Sequence, residues 1–205
     1  MIREIAARLP PIEYNWFCHL NWCRMSSWPL PHGPIVLIFL SSTFADLRSE
    51  RNATIDVLRG LSQSPNAMEF FVAEPTAPLK AVLQHLRESR LVVLVIGSFA
   101  GSILPGSQNL TYTYAEFRHA RRWGLPVLAF VKTEGGRWQN QETDPDRRRF
   151  LDQFKNEVSN AVLPAYFETV DQLKVAVLQA FQKWQTEGCP GSRRTFAAWD
   201  EHLRA

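Results

Sequence analysis

Two groups of residues in this sequence have the types and spacing to do chemistry. Ser41, Ser42 and Thr43 follow a run of apolar residues, Ile35 to Leu40, and precede the start of a helical pattern. Such a strand-to-helix corner suits an anion, because the first N–H groups of a helix have no intrahelical partner and the helix dipole favours negative charge there. Gly97 ends a second apolar run, LVVLVIG, and Ser98 and Phe99 open a long connection to Thr111. Small residues there let backbone approach a ligand closely. Glu116 lies about one turn into the next helix, with Tyr112 and Thr113 one turn earlier on the same side. The pattern admits two readings: a carboxylate leaning into a crevice, or a solvated glutamate beside Arg118, Arg121 and Arg122. On spacing alone the second is the plainer.

Other chemistries find no support in the sequence. There is no GxxxxGK[ST] or GxGxxG, so neither a P-loop NTPase nor a dinucleotide dehydrogenase is indicated, and there is no GxSxG elbow or HExxH. Cys18-His19 with Cys23 matches no standard zinc spacing and has no second ligand pair, so no metal site is expected. Of the histidines, His119 alone falls near the crevice, and a lone helical histidine reads as a surface or packing residue.

The elements that would position these groups alternate between strand and helix. Ile35–Leu40 is apolar on both faces, as in a parallel strand covered by helices on each side. Thr43 with Asp46 has the spacing of a capping box, which predicts a helix from Thr43 to Gly60. A second strand is expected at Glu69–Ala73, a helix opened by Pro78, a third strand at Leu91–Gly97 and a helix over Tyr112–Trp123 stopped by Gly124 and Pro126. A fourth strand at Pro126–Val131, a helix over Arg147–Asn160, a short fifth strand near Tyr166-Phe167 and a last helix over Val170–Trp184 complete the pattern. This is an α/β, flavodoxin-like three-layer sandwich around a parallel five-stranded sheet, with expected order 2-1-3-4-5. In that order the switch point lies between strands one and three, where the Ser41–Phe44 and Gly97–Ser102 loops meet.

Residues 1–33, rich in proline and tryptophan and without sustained period, form an irregular N-terminal extension, and Met25 could be an internal start. Residues 34–186 form the α/β domain and 187–205 a polar C-terminal tail. The 23 basic residues are spread along the chain and offset by 20 acidic ones, which argues against nucleic acid as a partner. The odd cysteine count points away from a disulfide-stapled secreted domain. No apolar run reaches the roughly 18 residues of a membrane span, and no signal-peptide pattern opens the chain. A soluble cytoplasmic protein is expected.

Several segments in order, IFLSSTFADLRSER (Ile38–Arg51), AMEFFVA (Ala67–Ala73), SRLVVLVIG (Ser89–Gly97), TYTYAEF (Thr111–Phe117) and GLPVLAFV (Gly124–Val131), resemble the family catalogued as domain of unknown function 4062. Its members look like relatives of the TIR domain (Toll/interleukin-1 receptor) and typically sit beside STAND-type NTPase or repeat modules as effector or signalling domains. The resemblance implies self-association, a STAND NTPase or repeat-containing sensor as partner, and a defence or signalling setting. Enzymatic TIR domains cleave NAD at the nicotinamide–ribose bond with a glutamate in a W-C-x-x-E motif, and Tyr112-Thr113-Tyr114-Ala115-Glu116 reproduces its spacing. The resemblance therefore makes Glu116 the catalytic residue, with NAD as substrate and no cofactor required. It places Ser41, Ser42, Thr43, Phe44, Gly97, Ser98, Phe99, Tyr112 and Arg51 at the nucleotide. Ser42 and Thr43 would hold the diphosphate, and Phe99 or Tyr112 would stack on a base.

The sequence departs from the family twice. Ser98-Phe99-Ala100-Gly101-Ser102 stands where a Tyr-Gly-Ser is usual, and Tyr114 stands where a second acid precedes the glutamate. Two other readings remain: a non-enzymatic TIR-like interaction module, and a nucleoside deoxyribosyltransferase-like enzyme. In a purely structural reading, Asp46, Glu50 and Arg51 cap and pair along the first helix and Phe44 is core.

Overall fold

The computed structural model describes residues 35–73, 75–107, 110–133 and 142–188. The expected N-terminal extension with its Cys18-His19-Cys23 cluster, and most of the tail, lie outside them. Within them the order is β1 (Leu37–Ser42), α1 (Arg48–Gly60), β2 (Ser64–Asn66), α2 (Pro78–Glu88), β3 (Leu91–Ile96), α3 (Tyr112–Arg122), β4 (Val127–Lys132), α4 (Pro145–Ala161), β5 (Ala165–Phe167) and α5 (Val170–Thr186). The strands pair in parallel in the order β2-β1-β3-β4-β5. The expected fold class and strand order are those of the structure.

Two apolar layers hold the sheet between its helices. On one face Ile38, Leu40, Val93 and Val95 pack with Leu47, Ile55 and Leu58 near α1 and with Leu173, Val177 and Phe181 of α5. On the other, Phe39, Val92, Leu94 and Ile96 meet Val82 and Leu86 of α2, Phe117 and Ala120 of α3, and Leu151, Phe154 and Val158 of α4. The alternation is the period of two that a strand imposes. Burying each such side chain is worth about 1.5–3 kcal/mol. β3 is buried at every position, which is why it reads as an unbroken apolar run.

Two expected elements are displaced. The second strand is Ser64–Asn66, not Glu69–Ala73. Pro65 is tolerated because β2 is the sheet edge. Asn66 fixes the strand by donating from Nδ2 to the His85 carbonyl at 2.9 Å and the Ser89 hydroxyl at 3.2 Å, while Gln63 Oε1 accepts from the Val36 N–H at 2.9 Å. The apolar stretch that resembled a strand instead makes a short 3-10 turn at Met68–Phe70, and Phe71 stacks on His85 with centroids 3.9 Å apart.

The first helix begins at Arg48, with Leu47 at the cap and no side-chain cap bond. Thr43 is therefore not its N-cap. The capping-box spacing serves another bond: the Thr43 hydroxyl donates to the Asp46 carboxylate, which itself faces β3. Nor is Phe44 core, being 53% exposed with Arg48 over its ring.

The long connection after β3 is a folded structure. Ile103 bridges antiparallel to Thr111, Leu104 N–H donates to Leu110 at 2.7 Å, and Tyr112 N–H to Ser102 at 3.1 Å. Thr111 caps α3 through its hydroxyl, which accepts from the Tyr114 N–H.

Candidate functional site

Period-two alternation at the end of β1 sends its two serines to opposite faces of the sheet, and each meets a buried charged group. Ser41 points to the α3 side, where its hydroxyl donates to Glu116 Oε2 at 2.5 Å. Ser42 points to the α1 side, where its hydroxyl and carbonyl accept from Arg51 Nη1 at 2.7 and 3.0 Å. Arg51 is 2% exposed and forks onto Glu69, Nε to Oε1 and Nη2 to Oε2, both at 2.6 Å. This bidentate geometry is the strong form of the guanidinium–carboxylate pair. Next to it Glu50, also buried, takes Lys132 Nζ from the end of β4 at 2.5 Å.

Glu116 is 4% exposed, which overturns the solvated reading. Its neighbours on the buried face of α3 are Thr113, Phe117 and Ala120, an i, i+3, i+4 set that the sequence did contain. Burial disfavours the carboxylate and pushes its pKa up to about 7, against the partial offset of the Ser41 hydrogen bond and the Arg51 charge. Burial acts on Glu69 and Glu50 in the same sense and is the largest single effect, but hydrogen bonds and charge from Arg51 and Lys132, together with backbone hydrogen bonds and, for Glu50, the Ser49 hydroxyl, outweigh it and hold both below the usual range. One carboxyl is thus poised between its two states while its neighbours stay ionised.

Asp46 is the residue that sequence reasoning did not place in the site. Its Oδ2 accepts from the Ser98 N–H at 2.9 Å and the Phe99 N–H at 3.2 Å, so an anion of the chain itself occupies the donors at the end of β3. Gly97 makes room for it, since a Cβ there would fall 2.2 Å from Asp46 Oδ2 and 3.0 Å from the Leu47 side chain. The signal available was the glycine ending an otherwise apolar strand. Gly97→Ala is expected to lower stability by about 1–3 kcal/mol in urea unfolding, as overpacking against a fixed neighbour does.

The remaining expected site residues are near but unevenly engaged. Thr43 and Ser98 are buried, and Ser42, Phe99 and Tyr112 are half-buried. Tyr114, where the related motif carries an acid, turns away to α4, donating to Glu157 at 3.0 Å and packing edge-on against Phe150 and Phe154. The loop is held to α4 by Arg147, whose Nη2 donates to the Gly101 carbonyl at 2.7 Å while Nε donates to Glu142 at 2.9 Å.

The profile of the family described as Domain of unknown function (DUF4062) matches residues 37–182, most of the chain. The chain belongs to the DUF4062 family. No curated protein matches it. Among solved structures it is similar to the TIR domains of the activated Roq1 resistosome directly recognizing the pathogen effector XopQ. That likeness has 13% identity and a TM-score of 0.39, over 72% of this chain and 84% of that one. No helix among the described residues of this DUF4062 chain is long and apolar enough to cross a membrane.

Proposed function

We propose that the chain is a TIR-like domain that hydrolyses the nicotinamide–ribose N-glycosidic bond of NAD in a defence or signalling setting. The observation that carries this reading is the placement of Glu116. It is a buried carboxyl at the carboxyl end of β1, at the topological switch point, held by Ser41 and poised near neutrality.

One carboxylate suffices for such a reaction. Nicotinamide leaves as a neutral pyridine without a general acid, and the C1′–N bond breaks with the electron pair going to the pyridine. The cationic ribosyl carbon gains from the Glu116 carboxylate, and water then adds at C1′ and releases a proton that the carboxylate can take up. The ionised form does the work, so turnover should rise with pH through about 7 and then level. Glu116 is nearly sealed in the monomer, which accords with activity that requires self-association to rearrange the connection held by Arg147.

The test is chromatography of NAD incubated with oligomerised protein. Wild type should release nicotinamide, and Glu116→Gln should release at least about 100-fold less. Equal release by the two proteins, or none by oligomerised wild type, sinks the proposal.

A second reading, a non-enzymatic interaction module, is favoured by the Asp46 bonds, which use the N–H groups a diphosphate would need. Concentration-dependent oligomers with neither turnover nor bound nucleotide would support it.

A further inference from the structure

The outer face of α3 carries a feature that neither Glu116 nor its partners explain. Between the C-terminal half of α3 and the C-terminal half of α4 lies a surface recess of about 440 Å³, lined by Phe117, Arg118, His119, Arg121, Arg122 and Glu157, with Ala161 at its far end. That volume is within the range of small-molecule sites.

Arg118 is satisfied, donating to Glu157 Oε1 at 2.8 Å, and this pair is neutral. Arg121 and Arg122 have no ion-pair partner among the described residues. The recess therefore has a surplus of two positive charges. His119, which also lines the recess, has its Nδ1 buried without a hydrogen-bond partner among the described residues. Arg118, Arg121 and Arg122 stand at i, i+3 and i+4, so their guanidiniums repel one another along a single helix face. The helix dipole favours a cation in the last turn, but it does not account for three sharing a concavity. A bound oxyanion would relieve the repulsion and accept from guanidinium forks, which suit phosphate oxygens bidentately.

We propose that the recess between α3 and α4 is a second ligand site, which binds a small phosphate monoester through Arg121 and Arg122 with His119 at its edge. The site is on the solvent side of the helix whose inner side carries Glu116. It is independent of the reaction proposed above.

The probe is adenosine monophosphate, titrated calorimetrically against full-length Glu116→Gln protein so that turnover plays no part. Binding is expected, with adenosine at least about 10-fold weaker because it lacks the charge. The Arg121→Gln/Arg122→Gln pair added to that background should weaken monophosphate binding at least about 10-fold. Loss of the same charge from α5 on the opposite face of the sheet, in Lys174→Gln/Lys183→Gln, should change it less than about twofold, because exposed charges beyond the sheet are screened. No binding, binding equal to that of adenosine, or binding indifferent to Arg121 and Arg122 overturns the proposal. A failure of NAD cleavage leaves it standing, and its own failure leaves the Glu116 reading standing.

Discussion

The Glu116→Gln protein should be more resistant to urea than wild type at about pH 8 and close to it at about pH 4. The folded pKa of Glu116, about 7, lies above the unfolded value of 4.5, so the native state holds its proton more tightly than the unfolded chain. A group raised in this way contributes its full stability below the unfolded value and loses it as pH rises through the folded one. Between those two values the unfolded chain ionises while the native state stays protonated, so wild type loses ~3 kcal/mol across the window for a shift of this size. Glutamine keeps the acceptor for Ser41 and never ionises. The advantage of the variant over wild type should grow by that amount across the window. Glu50 and Glu69 titrate in both proteins and cancel in the difference. A pH-independent difference would show that Glu116 is not the buried acid described above.

The second large effect is expected from Arg51. Arg51→Ala leaves Glu69 without its bidentate partner, leaves two acceptors on Ser42 without their Arg51 donor and opens a cavity beneath α1. Breaking a buried pair by removing one partner costs about 3–5 kcal/mol. Glu69 is near enough to solvent to recover some water, which sets the expectation toward the lower end. Arg51 also lowers the pKa of Glu116 through its charge, so the two substitutions should not add. In an Arg51→Ala background, Glu116→Gln should gain more stability at about pH 8 than it does alone. Strict additivity in that cycle would mean that the guanidinium does not act on the carboxyl.

These residues also show how far the sequence could be read. The central strands were legible because burial on both faces leaves an apolar run that hardly any other environment produces, as at Leu91–Ile96. β2 was not, because a three-residue edge strand containing Pro65 is specified by Asn66 and Gln63 reaching neighbours 19 and 27 positions away. The start of α1 was misplaced because a Thr-x-x-Asp spacing is compatible with a cap and equally with a turn whose acid serves another strand. Only the register of β1 against β3 decides between them. The position of Glu116 on its helix was legible from spacing, and its burial was not. Burial depends on Ser41 standing across from it, 75 residues earlier in the chain.

The division of labour between Ser41 and Ser42 has a consequence for how the sheet assembles. A slip that set Leu40 where Ser41 stands would face the Glu116 carboxyl with hydrocarbon and leave it no donor. The opposite slip would put the Ser41 hydroxyl where Leu40 stands, in the layer of Leu47, Ile55 and Leu58, with no acceptor among those side chains. The first misalignment forfeits the Glu116 hydrogen bond and the second buries a hydroxyl without an acceptor, each in addition to disrupting the hydrophobic pattern. The paired hydroxyls thus proofread the alignment of the first strand, whatever the domain goes on to bind.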